Sequence, residues 1–127
     1  MPEPVVPPAG YHTVTPRLVV SDAAGEVAFL RAVFDATGDV QSGRPAEIRI
    51  GDSLLLVSAA GEREAHPAFL YVYVNDTDVA YQRALDAGAL SLEAPFDTPY
   101  GDRRGMVCDP FGIVFQIAHR LADSMSR

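Results

Sequence analysis

The chain has 127 residues, with 17 acidic side chains against 10 basic ones, so its formal net charge is −7. This charge argues against nucleic acids and anionic membrane surfaces as partners, because both repel an acidic protein. The single cysteine, Cys108, excludes an internal disulfide, and no apolar run reaches the roughly 20 residues that a membrane-spanning helix needs.

The first ten residues differ in composition from the rest of the chain. They are rich in proline and lack both the basic and the long apolar region of a signal peptide. We therefore expect a flexible arm over 1–10. A lone thiol is typical of a reducing compartment, so the sequence predicts a cytoplasmic protein.

The first half of the chain predicts one helix and four strands. Alternating apolar residues predict a strand over 13–20, with Pro16 at an edge or a bulge. Asp22 is a typical N-cap for the helix that follows, and Gly38 is expected to end that helix. Three strands are then expected, around Val40 and over 46–50 and 54–57, with a hairpin turn at 51–52.

The second half repeats this order. A strand is predicted over 69–74, and Asp76 caps a helix that ends at Gly88. Three more strands are expected near 90–92, 105–108 and 113–118, with a turn at 109–112. Relative to the first half, the second carries an insertion in 93–103, which we expect to be a long loop.

The repeat predicts an α+β fold built from two βαβββ modules. They cover residues 11–62 and 69–119, with a linker over 63–68 and a C-terminal tail over 120–127. A single module leaves one face of its sheet uncovered. Pairing two modules gives a larger curved sheet with the helices outside and a concave inner face.

The strand over 69–74 carries an unusual number of aromatic residues. Side chains alternate between the two faces of a strand, so one face receives Leu70, Val72 and Val74 and the other Phe69, Tyr71 and Tyr73. Three rings on one face are too much apolar area to leave in water. They pack against a second subunit or a covering loop, or they form the wall of a ligand pocket, and the two alternatives are compatible.

Several motifs resemble the glyoxalase/bleomycin-resistance/extradiol dioxygenase superfamily, whose members are also called vicinal oxygen chelate proteins. They are YHTVTPRLVV at 11–20, the capped helix with Phe29, YGDR at 100–103 and DPFG at 109–112. The resemblance covers 11–119 and implies a U-shaped incomplete barrel. It also implies a homodimer, in some members with exchanged modules. The superfamily contains metal-dependent enzymes and metal-free proteins that sequester antibiotics.

The resemblance also implies where a metal ion would be held. The four ligand positions correspond here to Thr15, Leu55 (or Leu56 with a shift of one residue), Phe69 and Gln116. Leucine and phenylalanine cannot coordinate a metal, and the other two are weak neutral donors. His12, His66 and His119 form no evident cluster and are interpreted as surface or capping residues. We therefore expect no metal and no cofactor.

A few further residues have side chains that can take part in catalysis. Glu47 and Arg49 alternate with isoleucines, so they are expected to face the concavity near Arg17 of the neighbouring strand. An arginine lowers the pKa of a nearby carboxyl group, which suits an ion pair better than proton transfer near neutral pH. Cys108 has no nearby histidine in the sequence and is expected to be a small buried apolar residue. No catalytic residue is assigned.

The expected loop over 94–104 is the candidate lid of the concavity. Tyr100 is expected to stack on a planar ligand, and Arg103 or Arg104 to meet carboxylate or phenolate oxygens. The alternative is that Asp102 and Arg103 pair with each other and only fix the turn.

These features favour a protein that binds and sequesters a hydrophobic aromatic small molecule, of the antibiotic-resistance type. The alternatives are a lyase or isomerase of the same superfamily and a structural or regulatory subunit whose aromatic face is only an interface. We expect an aromatic natural product as ligand and a homodimer. The predicted ligand-binding residues are Thr15, Arg17, Glu47, Leu55, Phe69, Tyr71, Tyr73, Tyr100, Arg103, Met106 and Gln116.

Overall fold

The computed structural model describes residues 3–122, so the predicted arm and tail lie partly outside the described residues. The first half contains β1 (Arg17–Val20), α1 (Ala23–Phe34), β2 (Ala46–Ile50) and β3 (Ser53–Ala59). The second half contains β4 (Ala68–Tyr73), α2 (Thr77–Asp86), β5 (Leu90–Asp97), β6 (Asp102–Cys108) and β7 (Ile113–Arg120). None of these helices has both the length and the apolar character needed to cross a membrane.

The strands form two open sheets, one in each half of the chain. The first has three strands in the order β1-β3-β2, and the second has four in the order β4-β7-β6-β5. The first strand of each sheet pairs in parallel with the last one in sequence, and the other pairs are antiparallel. The predicted α+β pair of modules is confirmed.

The helices begin where the sequence predicts them. The side chain of Asp22 accepts a hydrogen bond from the amide of Gly25 at 2.9 Å, and Asp76 does the same for Val79 at 3.2 Å. These contacts satisfy amide groups that have no partner inside a helix. The first helix ends at Phe34, earlier than predicted.

The first strand is shorter than predicted. It begins at Arg17 rather than at residue 13, and Val14, which was expected on its apolar face, is 78% exposed. Pro16 stands directly before the strand, where its carbonyl oxygen still accepts from the amide of Leu56 at 2.9 Å. The missing amide hydrogen of proline is consistent with this position at the strand's start.

The weak strand predicted around Val40 does not form. Residues 37–44 make only two isolated bridges, so the first sheet has three strands. Gly38 adopts a φ of +115°, and a Cβ at this position would collide with the carbonyl oxygen of Glu47. The chain therefore turns tightly against β2 instead of extending beside it.

The prediction of a long loop over 93–103 is wrong, and this difference matters more for the site. Most of this segment is strand, with Phe96 paired with Arg104 and Asp97 with Arg103. The additional residues are accommodated by two register shifts in β5, around Glu93, and only 98–101 form the turn. The expected lid is thus the end of a hairpin and part of the sheet itself.

The core lies where the two modules meet. The ring of Phe115 on β7 is 5.7 Å from that of Phe29 and 5.2 Å from that of Phe34, both on α1. Helices α1 and α2 are the elements that make the main contact between the modules. The helix-facing sides of both sheets therefore share one core, and the opposite sides stay open.

Candidate functional site

The open side of the second sheet carries the predicted row of rings. Phe69 is 63% exposed, Tyr71 38% and Tyr73 58%, whereas the residues between them, Leu70 and Val72, are half-buried against the core. The predicted alternation along this strand is confirmed. Because β4 is the edge strand of its sheet, the rings lie at the border of the second module.

The strand register brings two more predicted residues to the tyrosines. Tyr71 is opposite Gln116 on β7, which in turn is opposite Met106 on β6. All three lie on the same side of the sheet, since directly opposite residues share a face. Met106 and Gln116 are half-buried, so they form the floor between the exposed rings.

A buried carboxylate connects the two tyrosines. Oδ2 of Asp102 accepts the hydroxyl groups of Tyr71 at 2.5 Å and Tyr73 at 2.8 Å, and Oδ1 accepts Nη1 of Arg120 at 2.8 Å. Burial works to raise the pKa of this carboxyl group, but the hydrogen bonds from the two phenols and the guanidinium outweigh it, so the pKa is lowered. Asp102 is only 1% exposed and is ionised at neutral pH.

The pKa values of the two phenols that contact Asp102 are raised. Burial and then the hydrogen bond to Asp102 raise the pKa of Tyr71, and the hydrogen bond to Asp102 followed by burial raises the pKa of Tyr73. Both hydroxyl groups therefore keep their protons at neutral pH. Their rings lie 5.3 Å apart and tilted by 52°, which is a favourable arrangement for an aromatic pair.

Tyr100 and Arg104 extend this network. Nη1 of Arg104 donates to the hydroxyl oxygen of Tyr100 at 2.9 Å, and its Nη2 donates to Glu93 at 2.5 Å. The same guanidinium lies 5.1 Å from the centre of the Phe96 ring. The contact with the hydroxyl group of Tyr71, and then the hydrogen bond from Arg104, lower the pKa of Tyr100 against the opposing effect of burial.

A cleft of about 680 Å³ lies beside this face, between the modules. Its volume falls in the range of small-molecule sites. Most of its lining is apolar and comes from both modules, and Tyr71 and Tyr73 form part of its wall. The cleft and the tyrosine face thus meet along β4.

The predicted residues of the first module lie on a separate surface. Arg17 donates to the hydroxyl of Ser58 at 2.9 Å, and Glu47 accepts the hydroxyl of Tyr11. Strand β3 lies between β1 and β2, so the expected neighbourhood of Arg17 and Glu47 is wrong. Thr15 precedes β1 and is half-buried.

Arg103 and Leu55 lie elsewhere than predicted. Arg103 is on the helix side of its sheet, where it pairs with Asp78 at 2.8 Å and Asp97 at 3.0 Å. Arg103 therefore does not face the open side as expected, and among the ion pairs of residues 3–122 Asp102 is paired with Arg120 rather than with Arg103. Leu55 is 5% exposed and belongs to the core, although it also lines the cleft.

The positions implied for a metal do not fit one. Leu56 is paired with Arg17, which makes it, rather than Leu55, the open-face residue of β3. With Thr15, Phe69 and Gln116 it forms a set with two apolar members and no charged donor. Within residues 3–122, no three His, Cys, Asp or Glu side chains are placed to hold a metal ion together. His119 is a capping residue, since its Nδ1 accepts the Thr77 amide at 2.9 Å.

Comparison with known proteins gives matches over most of the chain. The sequence model of the Glyoxalase/Bleomycin resistance protein/Dioxygenase superfamily matches residues 10–117. An uncharacterised protein of Mycobacterium bovis is 35% identical, in a match that covers 78% of this chain and 77% of that protein.

Solved structures share the fold. TioX from Micromonospora sp. ML1 has a TM-score of 0.72 at 24% identity, covering 84% of this chain and 97% of that one. A glyoxalase/bleomycin resistance protein/dioxygenase family enzyme from Burkholderia phytofirmans PsJN has a TM-score of 0.66 at 21% identity, covering 83% and 95%.

Proposed function

The chain belongs to the Glyoxalase/Bleomycin resistance protein/Dioxygenase superfamily, and on that premise we propose that it binds a hydrophobic aromatic small molecule and sequesters it. The observation that carries the proposal is the pair of exposed tyrosines, held by one buried carboxylate, at the border of an apolar cleft. We place this binding in the cytoplasm, consistent with the lone thiol of Cys108.

Sequestration needs affinity and no chemical step. Tyr71, Tyr73 and Tyr100 offer ring faces for stacking, and the apolar cleft beside them removes a hydrophobic ligand from water. Because Asp102 holds two of the rings by hydrogen bonds, little side-chain entropy is lost when a ligand stacks on them. Gln116 adds an amide that can orient the ligand.

The alternative from the sequence, a lyase or isomerase, gains no comparable support. The residues at the four implied ligand positions do not suit a divalent cation, as their chemistry shows. Tyr100 is the one phenol of the open face whose pKa is lowered. However, no carboxylate or histidine contacts its hydroxyl among the hydrogen bonds of residues 3–122.

We also propose that the working unit is a homodimer. The rings of Phe69 and Tyr73 and the side chain of Leu90 are more than half exposed, which is a large apolar area for an isolated chain. The open faces of the two modules do not meet within one chain, because the modules contact each other through their helices. A second copy can cover these faces.

Calorimetric titration with two antibiotics, bleomycin and the planar daunorubicin, tests the binding proposal. We expect micromolar binding of at least one, weakened at least tenfold in Tyr71→Ala and in Tyr73→Ala through the loss of stacking area. Tyr81→Phe is the matched control, because this tyrosine lies on α2 and contacts Ser91 instead. Unchanged affinity in both alanine variants would show that the ligand binds elsewhere.

A further inference from the structure

The hydroxyl protons of Tyr71 and Tyr73 are already used inside the protein. Each phenol has one proton, and both protons are directed to the same oxygen of Asp102, at 2.5 Å and 2.8 Å. A phenol oxygen also carries two acceptor lone pairs. Toward a ligand on the open face, these two tyrosines can therefore accept hydrogen bonds but cannot donate them.

The buried carboxylate strengthens this acceptor character. A hydroxyl group that donates to an ionised carboxylate becomes more electron-rich, because linked hydrogen bonds polarise one another. Arg120 fixes Asp102 from the other side, through its second oxygen. Tyr100 adds a third phenol oxygen 3.4 Å from that of Tyr71, and its position is fixed by the bond that it accepts from Arg104.

The charges around the cleft also bear on which ligand can bind. Asp35, Asp52 and Asp76 line the cleft together with a single basic residue, Arg83. The two guanidinium groups of the open face already have acceptors: Arg104 binds Glu93 and Tyr100, and Arg120 binds Asp102 and the carbonyl of Tyr100. A positively charged ligand is therefore attracted to this region, and an anionic one is repelled.

Resting on the proposed function, we infer that the site selects a cationic nitrogen heteroaromatic, a planar ring system that presents protonated N–H groups to the oxygens of Tyr71 and Tyr73. The rings supply stacking and cation–π attraction, and the phenol oxygens accept the N–H groups. A planar anion of the same size would meet the oxygens of Tyr71 and Tyr73, which offer it no proton, and it would be repelled by the acidic cleft.

Two fluorescent probes of matched size test this selection. 9-Aminoacridine has three fused rings and is a cation at neutral pH, whereas anthracene-9-carboxylate has three fused rings and is an anion. We expect the cation to bind at least tenfold more tightly. Its affinity should also fall with added salt, because screening weakens attraction between opposite charges.

Substitutions that keep the rings test the acceptor role. Tyr73→Phe retains the stacking surface and removes one acceptor, so 9-aminoacridine should bind several-fold more weakly while the small affinity for the anion stays the same. Asp102→Asn should act in the same direction, with circular dichroism as the check of folding. Tyr81→Phe again serves as the control.

The outcomes separate the two proposals. Equal binding of the probes, or tighter binding of anthracene-9-carboxylate, would overturn the inferred selectivity and leave aromatic binding intact. Binding of neither probe by the folded wild-type chain, together with no binding of bleomycin or daunorubicin, would overturn the proposed function itself. Loss of cation binding in Tyr73→Phe with wild-type anion binding would support the inference.

Discussion

Glu26 is buried where the two modules meet. It lies on α1 with no exposed surface, and it faces Asp109 in the turn between β6 and β7. Burial, and then the proximity and negative charge of the Asp109 carboxyl group, raise the pKa of Glu26 to about 9. Oδ1 of Asp109 accepts hydrogen bonds from the amides of Phe111 at 2.8 Å and Ile113 at 3.0 Å, whereas Oδ2 and both carboxyl oxygens of Glu26 have no hydrogen-bond partner within residues 3–122. A proton on Glu26 thus removes the repulsion between two buried carboxylates, one from each module.

This arrangement predicts that stability depends on pH through one residue. The pKa in the folded state lies above the ordinary value of 4.5, so the contribution of Glu26 is fully present below that pH and is lost as the pH rises toward 9. In Glu26→Gln the amide imitates the protonated acid. The variant should gain on the wild type by up to about 1.4 kcal/mol per pH unit between these values.

Urea unfolding of both proteins from pH 5 to pH 9, followed by circular dichroism, measures the difference. Glu62→Gln, at an exposed position, is the control and should run parallel to the wild type. Parallel curves for Glu26→Gln as well would show that Glu26 does not carry this proton.

At the level of single residues, the sequence predicted the exposed rings but not their partner. The alternation from Phe69 to Tyr73 can be counted along one strand. Asp102 reaches those tyrosines only because β7 pairs with both β4 and β6 in a particular register. The local sequence around Asp102 does not indicate this register. The same is true of Arg104, which the sequence could not distinguish from Arg103.

At the level of elements, the sequence predicted the starts of the helices correctly but not the structure of the insertion. Asp22 and Asp76 act on amides three residues away, so short-range chemistry fixes the helix starts. The segment 93–103 contains prolines and a Gly that suggest a loop, yet Pro95 falls in the irregular part of β5, where register shifts interrupt the ladder. Gly105 on β6 lies close to this irregularity, since a Cβ at its position would come within 3.1 Å of Tyr81 and 3.3 Å of Pro95.

The two adjacent arginines of β6 provide an element-level prediction. Arg103 joins β6 to α2 and β5 through two ion pairs with exposed carboxylates, whereas Arg104 lies on the open face and is 13% exposed. Arg103→Gln should lower the free energy of unfolding by about 1 kcal/mol or less and leave ligand affinity unchanged. Arg104→Gln should weaken binding of 9-aminoacridine, because it releases Tyr100.

Calorimetry and urea unfolding of the two variants distinguish these roles. The comparison has its own control, since the same substitution is made at neighbouring positions on opposite faces of one strand. A loss of affinity in Arg103→Gln equal to that in Arg104→Gln would restore Arg103 as a binding residue and contradict this division of the strand.

At the level of the whole molecule, the repeat in the sequence predicted two modules, but the larger curved sheet expected from them is two separate sheets in the chain, and the modules meet through their helices. The contact depends on Phe115 of one module packing between Phe29 and Phe34 of the other. Each is an ordinary apolar residue at core spacing in its own element, so no pattern within a module shows which neighbour it meets. Because the modules are joined through their helices, the open faces of both sheets remain uncovered within one chain.

The exposed rings then predict a dimer that one charge can disrupt. Burying a phenylalanine side chain contributes about 1.5–3 kcal/mol, and a two-fold interface buries each such residue twice. Phe69, at the edge of the second sheet, is 63% exposed, the highest fraction among the aromatic rings of residues 3–122. In Phe69→Asp the carboxylate would be desolvated at the interface, so the dimer should dissociate at least a hundredfold more readily.

Sedimentation velocity over a range of micromolar concentrations tests this expectation. The wild type should sediment as a dimer and Phe69→Asp as a monomer of the same fold. Val6→Asp adds the same charge at a residue that is 86% exposed in the N-terminal arm, so it should remain dimeric. A monomeric wild type would mean that water covers the rings, whereas a dimeric Phe69→Asp would place the interface elsewhere. Either result would separate the tyrosine face from self-association and leave it accessible to a ligand in the single chain.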